Sequence, residues 1–161
     1  MPHLSIVIPA YNEENRIGRT LIETFDYIDR QNYSSEVIVV NDGSTDHTVD
    51  AVHNFVGRAG GRLRLVENPG NRGKGYSVRN GMLKASGEIA LFYDADLSTP
   101  TSEIVKVVEP IAEDRYDVVL GSRALDRNVI GTRQSRFRET LGRGANLVQF
   151  ALTGLRFKDT Q

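Results

Sequence analysis

Continuous apolar runs, separated by stretches of helical periodicity, constrain this chain more than any other feature. Leu4 to Ile8, Val37-Ile38-Val39-Val40, Leu63 to Val66, Ile89 to Tyr93 and Val118-Val119-Leu120 are short and β-rich. Between the first two, Ile17, Leu21, Ile22, Phe25 and Ile28 recur at helical spacing. Thr48 to Val56 reads as a helix with Val49, Val52, Phe55 and Val56 inward, and Tyr76 to Ala85 and Glu103 to Asp114 as two more. Pro9 is expected to stop the first strand, and Pro110 to kink or divide the last helix. Strands apolar throughout and alternating with helices predict a mostly parallel sheet covered on both faces, an α/β three-layer sandwich of Rossmann-like type.

Ligands of such sheets bind outside the carboxyl ends of the strands. The polar clusters of this chain sit there: Tyr11-Asn12-Glu13, Asp42-Gly43-Ser44 and Asp94-Ala95-Asp96. Asp94 and Asp96 stand two apart at a strand end, where both carboxylates can aim at one point past the small Ala95. Two hard oxygen donors suit Mg²⁺ or Mn²⁺, which complete their shells with water and phosphate oxygens. Helix capping is the competing role. Asp42 can accept a hydrogen bond from a uracil imide or a ribose hydroxyl. Its neighbours Ser44, Thr45 and Asp46 are N-cap residues for the next helix, so a plain turn remains open. Gly70-Asn71-Arg72-Gly73-Lys74-Gly75 looks like a phosphate loop, but its spacing fits neither a P-loop nor a dinucleotide fingerprint. ATPase and dehydrogenase chemistry are set aside on that ground.

The chain has 161 residues, a net charge of -1 and no cysteine. That excludes disulfides, thiolate metal sites and a globally basic nucleic-acid coat. His3, His47 and His53 lack metal-ligand spacing. No apolar run approaches the roughly 20 residues of a membrane span, and no signal peptide is visible. The expectation is a cytoplasmic protein, soluble or peripheral at the membrane face. After Gly121 the texture turns basic. Arg123, Arg127, Arg133, Arg136, Arg138 and Arg143 meet few acids, and Phe137 to Leu152 has amphipathic spacing. Acceptor phosphate, anionic lipid and plain solvation are the candidate roles of this stretch. Little aromatic interleaving argues against RNA.

Taken in order, Ile8-Pro9-Ala10-Tyr11-Asn12-Glu13-Glu14, Val40-Asn41-Asp42-Gly43-Ser44-Thr45-Asp46, Asn71-Arg72-Gly73-Lys74-Gly75, Asp94 to Pro100 and Gly121-Ser122-Arg123 resemble family 2 glycosyltransferases of the GT-A fold. Within them the chain is similar to the polyprenyl- and dolichyl-phosphate sugar synthases. Leu97-Ser98-Thr99-Pro100 and Lys158-Asp159-Thr160-Gln161 look more like the dolichyl-phosphate glucosyltransferase branch, whereas the mannose branch more often has Gln and His at 98 and 99.

The resemblance implies an inverting, metal-dependent transfer of a hexose, glucose above all, from a UDP-sugar to a polyprenyl phosphate. It implies donor contacts from Pro9, Ala10, Tyr11, Glu13, Asp42, Lys74, Asp94, Ala95 and Asp96. Asp96 is the principal ligand of Mg²⁺ or Mn²⁺, with Asp94 beside it. Arg123, and with it Arg133 and Arg136, meets donor or acceptor phosphate. An ionised acceptor phosphate needs no strong base; a saccharide hydroxyl acceptor would, and Asp159 stands where one belongs. The implied division is a donor-binding core over 1–122 and a basic acceptor region over 123–161. Relatives continue past Asp159-Thr160-Gln161, so that region is expected to be truncated. A fragment that holds a nucleotide sugar without transferring it is the alternative function.

Overall fold

A computed structural model describes residues 3–121 of the chain. Four parallel strands, β1 (Leu4–Ala10), β2 (Ser35–Asn41), β3 (Leu63–Glu67) and β4 (Ile89–Phe92), form one sheet in the order β3-β2-β1-β4. The helices are α1 (Ile17–Ile28), α2 (Thr48–Val56), α3 (Lys74–Met82) and α4 (Ile104–Ala112), the last entered through a 3-10 turn at Thr101–Glu103.

The two faces of the sheet separate with the period of a strand. Leu4, Ile6, Ile8 and Ala10 of β1 join Val37 and Val39 of β2 in one core, with Ile17, Leu21 and Phe25 of α1, Val52 and Phe55 of α2, and Ile104 and Val108 of α4. Val7, Ile38 and Val40 face the other way, toward Met82 and Ala85. On that side α3 lies so close that a Cβ at Gly81 would clash with Val7 Cγ1 and fall 2.8 Å from Val40 Cγ2. Only glycine permits this approach.

Four sequence expectations need correction. Pro9 does not end β1; it continues through Ala10, with Pro9 in register with Val40. Val7 O accepts from Tyr93 N and Ala10 O from Asp42 N, so alternation turns Pro9 toward the β4 side. The β4 ladder stops at Phe92, so the missing N–H costs no sheet hydrogen bond. Val118-Val119-Leu120 forms no strand: Val118 and Leu120 are 74% and 60% exposed, and the described part of β4 pairs only with β1. A three-residue apolar run carries no ladder partner in its own sequence. Ile22 and Val56 point outward, one position off the stripes occupied by Leu21 and Phe55.

Pro110 does not divide its helix. It falls in the last turn of α4, and its carbonyl accepts from Arg115 N and Tyr116 N. Among the described residues no helix is long and apolar enough to cross a membrane.

Candidate active site

In the order β3-β2-β1-β4 the chain builds outward from β1 in one direction and then returns to its other side. A crevice opens at the carboxyl ends where the direction reverses. A pocket of about 330 Å³ lies there, within the usual range of small-molecule sites. Four separate segments line it. The end of β1 supplies Pro9, Ala10, Tyr11 and Glu13, the end of β2 Asp42, the Gly-rich loop and α3 Lys74, and the end of β4 Asp94, Ala95 and Asp96. All nine residues expected to meet the donor thus face one cavity. Asn71, Gly73 and Ser77 complete the lining.

Much of the motif chemistry is internal bracing. Asn12 N donates to Ser44 Oγ and Asn12 Oδ1 accepts from Thr45 N; Asn12 takes a left-handed φ of 54°, which asparagine tolerates. Glu13 N donates to Thr48 Oγ1, Glu14 N to Asp46 Oδ2, and His47 N to Glu14 Oε2. These bonds clamp the loop after β1 to the loop after β2. Asp46 Oδ1 also accepts from Thr48 N, an Asx turn just before the helix, but the N-cap of α2 is His47 and makes no side-chain cap bond, so none of Ser44, Thr45 and Asp46 is the N-cap. Arg16 Nε stands 2.6 Å from Glu13 Oε2, off the hydrogen-bond axis.

Asp42 is 3% exposed. Its Oδ1 accepts from Asn68 Nδ2 at 2.7 Å and Arg72 N at 3.0 Å, and its Oδ2 from Gly73 N at 2.7 Å. Burial alone would push its pKa up, but the Asn68 amide and the two loop amides outweigh it and hold the carboxyl below its usual range. The loop that looks like a phosphate cradle therefore spends these two amides on the chain's own carboxylate. Asn68 is the hub beneath it, donating also to Ser77 Oγ and accepting from Asn80 Nδ2. Gly43, at φ 73°, lets the β2 loop touch the same segment; a Cβ there would lie 2.7 Å from Gly70 C.

The Asp94-Ala95-Asp96 turn is fixed from behind by α1. Thr20 Oγ1 donates to Ala95 O at 2.6 Å, and Thr24 Oγ1 lies 3.1 Å from Tyr93 Oη. Sequence reading missed both threonines. Their signal was there: Thr20 and Thr24 sit on the apolar stripe of α1, where a polar side chain needs a partner. Beyond Ala95, Asp96 Oδ1 accepts from Ser98 N and Ser98 Oγ at 2.9 and 2.6 Å. This closes a tight turn around Leu97, whose φ of 55° is costly for a branched side chain. Lys74 Nζ reaches across the pocket to Asp94 Oδ1 at 2.6 Å.

Electrostatics bear on what the pocket can hold. Among the described residues its charged lining is Glu13, Asp42, Asp94 and Asp96 against Lys74. A diphosphate entering this field meets net negative charge, so a divalent cation between Asp94, Asp96 and the phosphates fits the donor set. Among the described residues no three His, Cys, Asp or Glu side chains form a cage. A cation here would keep water and ligand oxygens, which is the habit of Mg²⁺. Arg123, Arg133, Arg136 and Asp159 lie outside the described residues, as does the amphipathic stretch 137–152.

A parallel sheet of this order with a pocket across its carboxyl ends is Rossmann-like, and with the family match that follows it is of the GT-A, nucleotide-diphospho-sugar transferase type. The profile of glycosyl transferase family 2 matches residues 5–158, and the chain belongs to that family. It is 37% identical to the dolichyl-phosphate beta-glucosyltransferase of Drosophila melanogaster over 98% of this chain and 52% of that protein. To a namesake from Trichomonas vaginalis it is 32% identical, over 99% of this chain and 51% of the relative. The chain thus spans about half the length of the curated relatives it matches. Among solved structures it resembles a Pyrobaculum calidifontis mannosyltransferase in complex with GDP-Man and Mn²⁺, with TM-score 0.54 and 33% identity over 65% of this chain and 30% of the other. A Mycobacterium tuberculosis glucosyl-3-phosphoglycerate synthase, in complex with Mn²⁺, UDP and its glucosylated product, aligns with TM-score 0.52 and 29% identity, covering 68% and 39%.

Proposed function

We propose that this chain is the donor-binding core of an inverting hexosyltransferase that moves glucose from UDP-glucose to a polyprenyl phosphate. The observation that carries the reading is the convergence of four loop segments on one acid-lined pocket with Asp94 and Asp96 at its edge. The names of the curated relatives and the Mn²⁺ and UDP held by a structural neighbour support it. Ser98 and Thr99, in place of Gln and His, favour the glucosyl branch.

On this reading Asp96, with Asp94, would hold Mg²⁺ or Mn²⁺. The cation supplies charge neutralisation for the departing UDP. Tyr11, Glu13 and the pocket floor around Asp42 position the nucleoside. Lys74, with Arg123, Arg133 and Arg136 from the basic region, balances phosphate charge. An acceptor phosphate oxygen is ionised near neutral pH and attacks C1 without a strong base. The same basic region suits an acceptor presented at an anionic membrane surface.

Transfer of labelled glucose from UDP-glucose to dolichyl phosphate tests this directly. Metal-dependent formation of a lipid-linked glucose is expected. Transfer from GDP-mannose instead, or to a saccharide hydroxyl instead, would refute the assignment. Metal-dependent UDP binding without any transfer would favour the second reading, a nucleotide-sugar-binding fragment.

A further inference from the structure

The proposed donor site contains its own cation. Lys74 Nζ lies 2.6 Å from Asp94 Oδ1, although the two residues come from different sides of the pocket, the start of α3 and the turn after β4. The position of Lys74 is set by a chain of contacts. Asp42, buried in the pocket floor, binds the amides of Arg72 and Gly73 and so fixes the residue immediately before α3. Asn68 holds Asp42 and Ser77 together, and Ser77 Oγ donates back to Gly73 O. Thr20, bonded to Ala95 O, fixes the opposite bank. Both partners of the ion pair are therefore carried on braced backbone.

We infer that Lys74 is a resident counter-ion of Asp94 and the residue that couples metal binding to donor binding. This rests on the donor-site reading above. A divalent ion arriving alone must compete with the Lys74 ammonium for Asp94 and strands that ammonium beside the new charge. A divalent ion arriving with a diphosphate meets no such penalty, because the displaced ammonium gains phosphate oxygens in place of the carboxylate. Lys74 thus weakens binding of the bare cation and strengthens binding of the cation with its diphosphate. Reciprocity makes the coupling the same from either side: metal raises nucleotide affinity by the factor by which nucleotide raises metal affinity. The exposure of the pair, 59% for the lysine and 43% for the aspartate, keeps the effect modest.

The test is Mn²⁺ binding to the full chain, followed by the loss of the free-ion EPR signal, with and without saturating UDP. Wild type, Lys74→Met and Lys74→Arg are compared, each first shown to keep its melting temperature. Lys74→Met is expected to bind Mn²⁺ alone roughly five- to tenfold more tightly. With UDP its Mn²⁺ affinity should fall below wild type, so the coupling factor shrinks from both ends. Lys74→Arg, which keeps the charge, should retain weak binding of Mn²⁺ alone. Unchanged or weaker binding of Mn²⁺ alone by Lys74→Met would overturn the inference, whatever UDP does. If the wild type shows no enhancement of Mn²⁺ binding by UDP, the donor-site reading fails. The arm with Mn²⁺ alone still decides whether Lys74 guards Asp94.

Discussion

The two ends of the sheet carry carboxylates in opposite conditions. At the amino end Glu36, 8% exposed, is saturated: its Oε1 accepts from Ser5 Oγ, Ser86 N and Ser86 Oγ, and its Oε2 from Arg64 Nη1. Gly87 N closes the cluster onto Ser5 Oγ, and a Cβ at Gly87 would lie 2.7 Å from Ser5 N. Burial would raise the Glu36 pKa, yet the Ser5, Ser86 and Arg64 donors together bring it down to about 2. At the carboxyl end Asp94 is 43% exposed in its side chain, pairs with the half-exposed Lys74 ammonium, and faces a cavity beside Asp96. One end locks a charge into the fold, and the other leaves charge facing an open cavity. Asp42 shows that position alone does not decide the matter, since it lines the pocket yet is bound like Glu36.

That contrast can be broken by substitutions at either end. Glu36→Ala should lose about 3 kcal/mol of stability, because a buried amide and two hydroxyls lose their acceptor and Arg64 its partner. The folded fraction should bind UDP with Mn²⁺ as before. Urea denaturation and calorimetry check the two halves. At the other end Asp96→Ala should leave the urea midpoint nearly unchanged and weaken metal-dependent UDP binding by roughly 100-fold, about 2.7 kcal/mol.

Gly43→Ala should act on the pocket through shape. It forces a Cβ against Gly70 C at a φ of 73°, at a cost of about 1–2 kcal/mol, and displaces the loop that carries Lys74. Reduced protection of the Arg72 and Gly73 amides in hydrogen exchange would register it. Thr20→Val, nearly isosteric, leaves Ala95 O without its 2.6 Å donor. It should cost about 1 kcal/mol and a few-fold in UDP affinity.

The amino-end cluster also has a pH signature. A carboxyl whose folded pKa lies below its unfolded value stabilises the fold fully above the unfolded value. It loses that contribution as pH falls through the folded one. For Glu36 the window runs from about 4.5 down to about 2. The full contribution at neutral pH is about 3 kcal/mol at 1.36 kcal/mol per decade. Asp42, also lowered, adds in the same direction. Glu36→Gln should flatten the fall of the urea midpoint across that window, relative to wild type, and a slope identical to wild type would contradict the assigned role.

The sheet and its active edge were legible because period and order determine them. Continuous apolar runs separated by helices permit few topologies, and that topology sends Glu13, Asp42 and Asp96 to one rim. What escaped reading depends on neighbours distant in sequence. Nothing local tells that Pro9 faces a side where β4 has ended, or that Val118 lacks a ladder partner among the described residues. The Lys74–Asp94 pair and the Glu36 cluster arise only when separate strand ends meet. For Asp42 the sequence offered both a turn and a ligand-facing carboxylate, and it does not show that two loop amides reach that carboxylate. Thr20 and Thr24 were the readable omission, polar groups on an otherwise apolar stripe.

The most direct measurement is an anomalous difference map from crystals soaked with Mn²⁺ and UDP. The account predicts one strong peak beside Asp94 and Asp96, bridged to diphosphate density, and none at Glu36. Ordered UDP in the pocket with no peak at that pair, or a peak at another group of side chains, would contradict it.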